Sequence, residues 1–304
     1  MHGLRIECST TFDALMAGDR CPVDVAVPEP TTATIPDAPP PGRLLFHSPH
    51  DWPVFITEQD DGYRMRYSGH VDYHFSAALD RIECSISSEA DRLFANAITY
   101  GAVLSALMTL RGLLSLHATS LDLHGHRIAV FGRSGQGKST TAGNLMAAGA
   151  TLVSDDVTVL DERFQTSPGL LGLRLRPDSS GIVATISDVI TTESVDGRLV
   201  LRQIREPERG ALPLRALFLP VRSTSIDRPT VERLRSETAI AQLLPAVRLV
   251  GWRDPAVLTR EFHQLVAVAR EVPVCLLHVP VETMLEDNAE LLAAVITDQL
   301  RRFP

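Results

Sequence analysis

The chain has 304 residues, enough for one large domain or two smaller ones and for a sizeable core. Hydrophobic residues at 44% and charged residues at 22% are ordinary for a soluble globular chain, and a net charge of −8 argues against a nucleic-acid binder, which needs a basic surface to meet phosphates. Cys8, Cys21, Cys84 and Cys275 show no Cys-x-x-Cys spacing, and no apolar run reads as a signal segment or approaches a membrane span. The expectation is a cytoplasmic protein with reduced thiols, without membrane or nucleic-acid partners.

Residues 1–27 alternate weakly and read as a strand followed by a short helix around Phe12–Met16. Pro28 to Pro41 then holds six prolines in fourteen residues. Proline removes backbone donors and disfavours helix before it, so 28–42 reads as an extended loop or linker. From Leu44 to Ile86 the pattern is that of strands: Leu44–Phe46, Trp52–Ile56, Tyr63–Tyr67, Val71–Phe75 and Arg81–Ile86. Asp60-Asp61-Gly62 and Ser68-Gly69-His70 read as hairpin turns, and a small antiparallel sheet follows.

Over 89–115 the period changes to that of a buried helix, with Leu93, Phe94, Ala97, Ile98, Val103, Leu104, Leu107, Met108 and Leu110 inward and Gly112 closing it. Leu113–Leu123 reads as a strand carrying His117. A turn at His124-Gly125-His126 pairs it with the next apolar run, Ile128–Phe131.

That run ends in Gly132-Arg133-Ser134-Gly135-Gln136-Gly137-Lys138-Ser139-Thr140, and a helical stretch, Thr141 to Ala148, follows as far as Gly149. Gly-x4-Gly-Lys-Ser between a strand and a helix is the spacing of a Walker A phosphate loop. Its glycines let successive N–H groups turn inward, and the helix behind it starts with unpaired donors and a positive dipole end. Lys138 supplies a charge for the outer phosphates and the Ser139 hydroxyl one position on Mg²⁺. The expected cofactors are ATP and Mg²⁺, bound by 132–140.

Thr151–Val153 reads as a short strand ending in Ser154-Asp155-Asp156. Carboxylates at a strand's C-terminal end beside a phosphate loop sit where metal and nucleophile are handled: one holds metal or its water, the other accepts a proton. Sequence physics does not tell the two apart.

An acidic pair only one helix and one strand after the loop lysine resembles the HPr kinase family, which shares a nucleotide-binding fold with phosphoenolpyruvate carboxykinase. The resemblance rests on Leu116-His117-Ala118, Ala129–Thr140 and Leu152–Val157. It implies an α/β P-loop kinase domain over 111–304 behind a smaller α+β region over 1–110. It implies the catalytic set His117, Lys138, Asp155 and Asp156, with Asp155 as base, Asp156 and Ser139 on the metal, and His117 orienting them. Pro168–Asp178, Leu212–Leu219 and Arg248–Phe262 before Val272-Pro273-Val274 are similar to the sub-branch of lasso-peptide precursor kinases. The Arg-Gly-x-Gly-Ile signature of the HPr enzyme is absent, which directs the acceptor away from HPr. The implied activity is ATP-dependent phosphorylation of a serine hydroxyl on a peptide or protein, above all the C-terminal serine of a lasso-type precursor. The family's hexamers make a homo-oligomer one option.

A small-molecule hydroxyl kinase and a nucleotide-dependent regulatory module are the alternatives. Retention of His117 and Asp155 speaks against the second, since a sensor needs the loop but no base. Arg174 and Arg176 alternate on one strand face and are candidates to meet phosphate or an acidic peptide terminus; Arg202, Arg205, Arg209, Arg215 and Arg222 read as mostly solvated. Trp252, Phe262 and Leu243-Leu244 read as core. Residues 283–302 read as an amphipathic helix with Leu291, Leu292, Val295 and Ile296 inward.

Overall fold

The computed structural model of the chain describes residues 2, 6–8, 25–48, 52–177, 180–194, 197–204, 207, 210–280 and 289–303. The short helix expected around Phe12–Met16, the beginning of the helix expected from Thr283, and Arg205 and Arg209 lie outside the described residues. The fold is mixed α/β with several sheets, in two compact units. One comprises Gly3–Ser115 and Arg248–Phe262; the other comprises His2, Leu116–Val247 and His263–Pro304.

In the first unit, β1 (Ile6–Cys8) and β2 (Val25–Val27) pair in parallel. The strands β3 (Thr31–Thr32), β4 (Arg43–Ser48), β5 (Val54–Gln59), β6 (Gly62–Tyr67), β7 (Val71–Ser76) and β8 (Ile82–Ile86) form a six-stranded sheet in the order β3-β8-β7-β6-β5-β4. All its pairs are antiparallel except β3 with β8. Period-two alternation decides which side chains go in: Ile56, Met65, Tyr73 and Cys84 are opposite one another across four strands and all are buried. Gly62 starts β6 at φ +141°, where a Cβ would lie 2.0 Å from the Phe75 carbonyl oxygen, so only glycine turns the chain there. The proline-rich segment is not wholly loop, because Thr31–Thr32 adds a short strand at the sheet's edge, where the neighbouring prolines' missing N–H groups cost no ladder bonds.

Helix α1 (Asp91–Ile98), a π-helical turn (Thr99–Val103) and α2 (Leu104–Leu110) make one continuous helical run. Gly112 stops it at φ +88°, with its N–H on the Thr109 carbonyl and that of Leu113 on the Met108 carbonyl. The expectation that no run approaches a membrane span is corrected here: Asp91–Leu110 is 20 residues long and apolar enough by length and composition. About two-thirds of its apolar window is buried inside the fold, as in a core helix.

Then follow β9 (Leu114–Leu116), β10 (Ala118–Leu123), β11 (His126–Phe131), α3 (Lys138–Ala147), β12 (Thr151–Ser154), β13 (Thr158–Leu160), β14 (Gln165–Thr166), β15 (Leu173–Leu175), α4 (Ser180–Val183), β16 (Val189–Glu193), β17 (Leu199–Gln203), β18 (Leu212–Ser223), β19 (Thr230–Arg233), α5 (Ser236–Leu243), α6 (Pro255–Glu271), β20 (Val274–Pro280) and α7 (Ala289–Arg301). The main sheet of the second unit runs β12-β10-β11-β18-β20-β19, with β14 also on β18. β11, β18 and β20 are parallel to one another, while β10, β12 and β19 pair antiparallel. A smaller antiparallel sheet, β15-β17-β16, lays its leucines (Leu173, Leu175 and Leu201) into the same core as Ala142, Leu145 and Met146 of α3 and Leu292, Ile296 and Leu300 of α7. Of the residues expected in the core, Trp252, Leu243, Leu292 and Ile296 are buried, whereas Leu244, Phe262 and Leu291 are exposed. Each exposed member adjoins or shares a helix with a buried one, and helical rotation of about 100° per residue carries it off the apolar stripe.

Candidate active site

The register of two strand pairs brings the site together. β10 and β11 form the expected hairpin, with Ala118 opposite Phe131. His117 and Gly132, one residue beyond each, therefore leave the hairpin at the same end. β12 pairs on the other side of β10, with Ser120 opposite Ser154, so Asp155 and Asp156 run past Thr119 toward His117. Phosphate loop, histidine and acidic pair thus meet at one end of three adjacent strands. His117 itself is not within a strand as expected: it lies between β9 and β10, and its N–H donates to the Ala246 carbonyl at 2.7 Å.

The loop has the conformation its glycines suggest. Gly132, Gly135 and Gly137 have φ of +139°, +85° and +90°. A Cβ on Gly132 would lie 2.7 Å from Gln136 Oε1 and 2.9 Å from Leu219 Cδ1, so the loop closes on a position that only glycine leaves open. Gly137 caps α3 in the left-handed region, and no side chain caps that helix end nor does any acidic residue stand in its first turn. Its positive end is uncompensated by the chain, which suits an anion. Lys138 is buried and bends back over the loop, donating from Nζ to the Gly132 carbonyl at 2.8 Å and the Arg133 carbonyl at 3.3 Å. Gln136 accepts from the Arg133 N–H through Oε1, so a carbonyl oxygen of the loop's own side chain already meets one inward donor. The cradle, the lysine and the bare helix end all fit a polyphosphate. Ser139 and Asp156, hard oxygen donors, fit a Mg²⁺ that arrives with it and keeps its waters.

The two carboxylates have opposite environments. Asp155 is 4% exposed, and both its oxygens are engaged: Oδ1 accepts from Thr119 Oγ1 at 2.7 Å, Oδ2 from the Arg174 N–H at 2.9 Å. Burial raises its pKa above the ordinary 3.8; those two hydrogen bonds work against the rise and the neighbouring Asp156 charge adds to it. Asp156 turns the other way. Its φ of +66° is uncommon for a non-glycine residue and swings the side chain out of the strand's alternation. It is partly exposed, with Oδ1 3.7 Å from Nε2 of the equally accessible His117.

Sequence reasoning named the loop, the lysine, His117 and both aspartates, and the structure brings these together. Thr119 and the Arg174 backbone, which hold Asp155, were missed. Only the pairing of β12 on β10 would have shown them, and a four-residue strand carries no signal of its neighbour.

No protein-family model matches the chain, and no curated protein matches it. Among solved structures, the HPr(Ser) kinase/phosphatase from Coxiella burnetii is similar at 11% sequence identity, over 62% of this chain and 91% of that one, with a TM-score of 0.32.

Proposed function

We propose that this chain is an ATP-dependent serine kinase acting on a peptide or protein hydroxyl, with the second unit as its catalytic domain and the cytoplasm as its place of work. The observation that carries the reading is the meeting of a closed phosphate loop with a histidine–aspartate pair at one end of β11, β10 and β12. A nucleotide-binding module needs only the first of these; phosphoryl transfer to a hydroxyl needs both.

Residues 132–137 and Lys138 bind the phosphates of ATP, and the α3 N-terminus stabilises their charge. Ser139 and Asp156 are the side chains that would hold Mg²⁺, which when bound neutralises charge on the transferred phosphoryl group. The proton-accepting role suggested for Asp155 by the resemblance is assigned here to the acidic pair as a unit, with Asp156 as the member an acceptor meets. Asp155 is sealed and both its oxygens are in use; Asp156 faces out beside His117, which takes the proton on or keeps the carboxylate aimed. The favoured acceptor is the C-terminal serine of a lasso-type precursor peptide, supported by the sequence resemblance of 168–178 and 212–219.

The test is intact-mass analysis of serine-ending precursor peptides after incubation with the protein, Mg²⁺ and ATP. One added phosphate is expected on the wild type. Lys138→Ala should lose nucleotide binding, whereas Asp156→Asn should keep it and slow transfer about 10²–10⁴-fold. ATP bound tightly with no peptide modified would end the peptide reading, and full activity in Asp156→Asn would end this assignment of the pair.

A further inference from the structure

The small sheet β15-β17-β16 has an inner face of leucines and an outer face of another kind. Arg174 stands opposite Val200, Val200 opposite Thr192, and Arg202 opposite Ile190. These positions alternate with the buried Leu173, Leu175 and Leu201 and therefore point outward. One step beyond the Leu175–Leu199 pair, the same register sets Arg176 opposite Arg198. Two like charges directly across an antiparallel pair are destabilising. Four arginines on one small face, in a chain of net charge −8, are a concentration that folding does not call for.

The described strand positions of this face hold no carboxylate; Asp188 stands just before β16. Arg174 and Arg176 form no side-chain ion pair among the described residues. Ile190 and Ile204 add apolar surface at 56% and 64% exposure. The face is also tied to the catalytic carboxylates, since the backbone N–H of Arg174 is one of the two donors that hold Asp155.

We propose that this outer face docks the acceptor: an acidic peptide segment with interspersed apolar side chains, whose carboxylates pair with Arg174, Arg176, Arg198 and Arg202 while Ile190, Val200 and Ile204 cover its apolar groups. The proposal gives the substrate class for the peptide-kinase reading above and rests on it for its purpose. The general negative charge of the protein repels such a segment everywhere else, so this face steers it. A nucleic acid fits less well. The face carries no aromatic ring on which bases would stack, and its arginines are flanked by isoleucines.

Binding is measured on the full chain without nucleotide, by fluorescence anisotropy of a labelled peptide of alternating Glu and Leu ending in Ser. Its Gln and Lys counterparts and a single-stranded RNA of equal charge serve as comparisons. The Glu peptide should bind, and weaken as salt is raised. Arg176→Gln with Arg198→Gln should loosen it about tenfold, while Arg176→Lys with Arg198→Lys retains most of the affinity. Binding of a fluorescent ATP analogue should be the same in all three proteins, which shows that the Gln pair is folded. Equal binding of the Gln peptide, an unaffected Gln pair, tighter binding of the RNA, or no peptide binding would each overturn the proposal. Should no nucleotide bind while the peptide behaves as expected, the docking face stands and the kinase reading falls. If peptides are phosphorylated at a rate indifferent to the Gln pair, the kinase stands and the docking face falls.

Discussion

Burial holds the Asp155 carboxyl above its ordinary value, and that has a sign that experiment can read. The folded chain binds this proton more tightly than the unfolded chain does, so the stabilisation is whole below about pH 4 and is lost as pH rises through the raised folded value. Asparagine fits the same two partners, its oxygen accepting from the Arg174 N–H and its amide donating to the Thr119 hydroxyl, and it carries no charge to bury. Asp155→Asn should therefore gain stability relative to the wild type as pH is raised from 4 toward 8, measured by urea midpoints. A difference constant with pH would mean that the site is not desolvated. Glu261, buried on α6, makes the same case more strongly, because desolvation pushes it up to about 7 against the opposing pull of Arg260. Its contribution fades between about pH 4.5 and 7. Above pH 7, Glu261→Gln should be the more stable protein by about 1–3 kcal/mol, and below pH 4.5 the two should converge.

The β10–β11 hairpin presents the catalytic residues at one end and is pinned at the other by a buried arginine. Arg127 and Asp122 stand opposite each other, joined through Nε and Nη2 at 2.8 and 2.9 Å, while Nη1 donates to the Thr166 carbonyl at 2.6 Å. Arg127→Leu strips three acceptors at once and leaves a carboxylate facing apolar surroundings, so a loss of about 3–5 kcal/mol is expected in denaturant unfolding. Arg127→Met with Asp122→Leu should recover much of it; if the double variant is as unstable as the single, the cost was packing and not the stranded charge. This hairpin was legible in advance, since His124-Gly125-His126 stands between two apolar runs and the phosphate loop follows. Its buried arginine was not. An Arg in an apolar run reads as an edge position until the partner across the strand and two distant carbonyls are known. The same holds for Asp155 and Asp156: composition names two carboxylates, and only the pairing of β12 with β10 seals one and turns the other out.

On the scale of the whole molecule, the elements between glycine turns were legible, among them β4 to β8 with their turns at Gly62 and Gly69 and the helical run ending at Gly112. What was not legible is which distant segments complete a unit, because such contacts join residues some 200 positions apart and leave no periodicity behind. Arg248–Phe262 belongs with the first unit. The Arg253 N–H donates to the Leu45 carbonyl at 2.7 Å and the His47 N–H to the Gly251 carbonyl at 3.0 Å. Trp252 packs edge-on against Phe46 with ring centroids 5.4 Å apart, and Asp254 pairs with Arg43. A boundary near residue 110, the one suggested by sequence, cuts through this arrangement. A fragment of residues 111–304 keeps Trp252 and Val257, both buried in the full chain, but loses the strand β4 that covers Trp252. Exposing apolar groups of that size costs about 1.5–3 kcal/mol each and leaves backbone donors without partners. The fragment should bind a hydrophobic dye and aggregate, and co-expression with residues 1–110 should restore a soluble, nucleotide-binding protein. A monomeric fragment that unfolds as cooperatively as the full chain would show that the catalytic unit needs nothing from the first, and that the unit boundary seen in the contacts is not an energetic one.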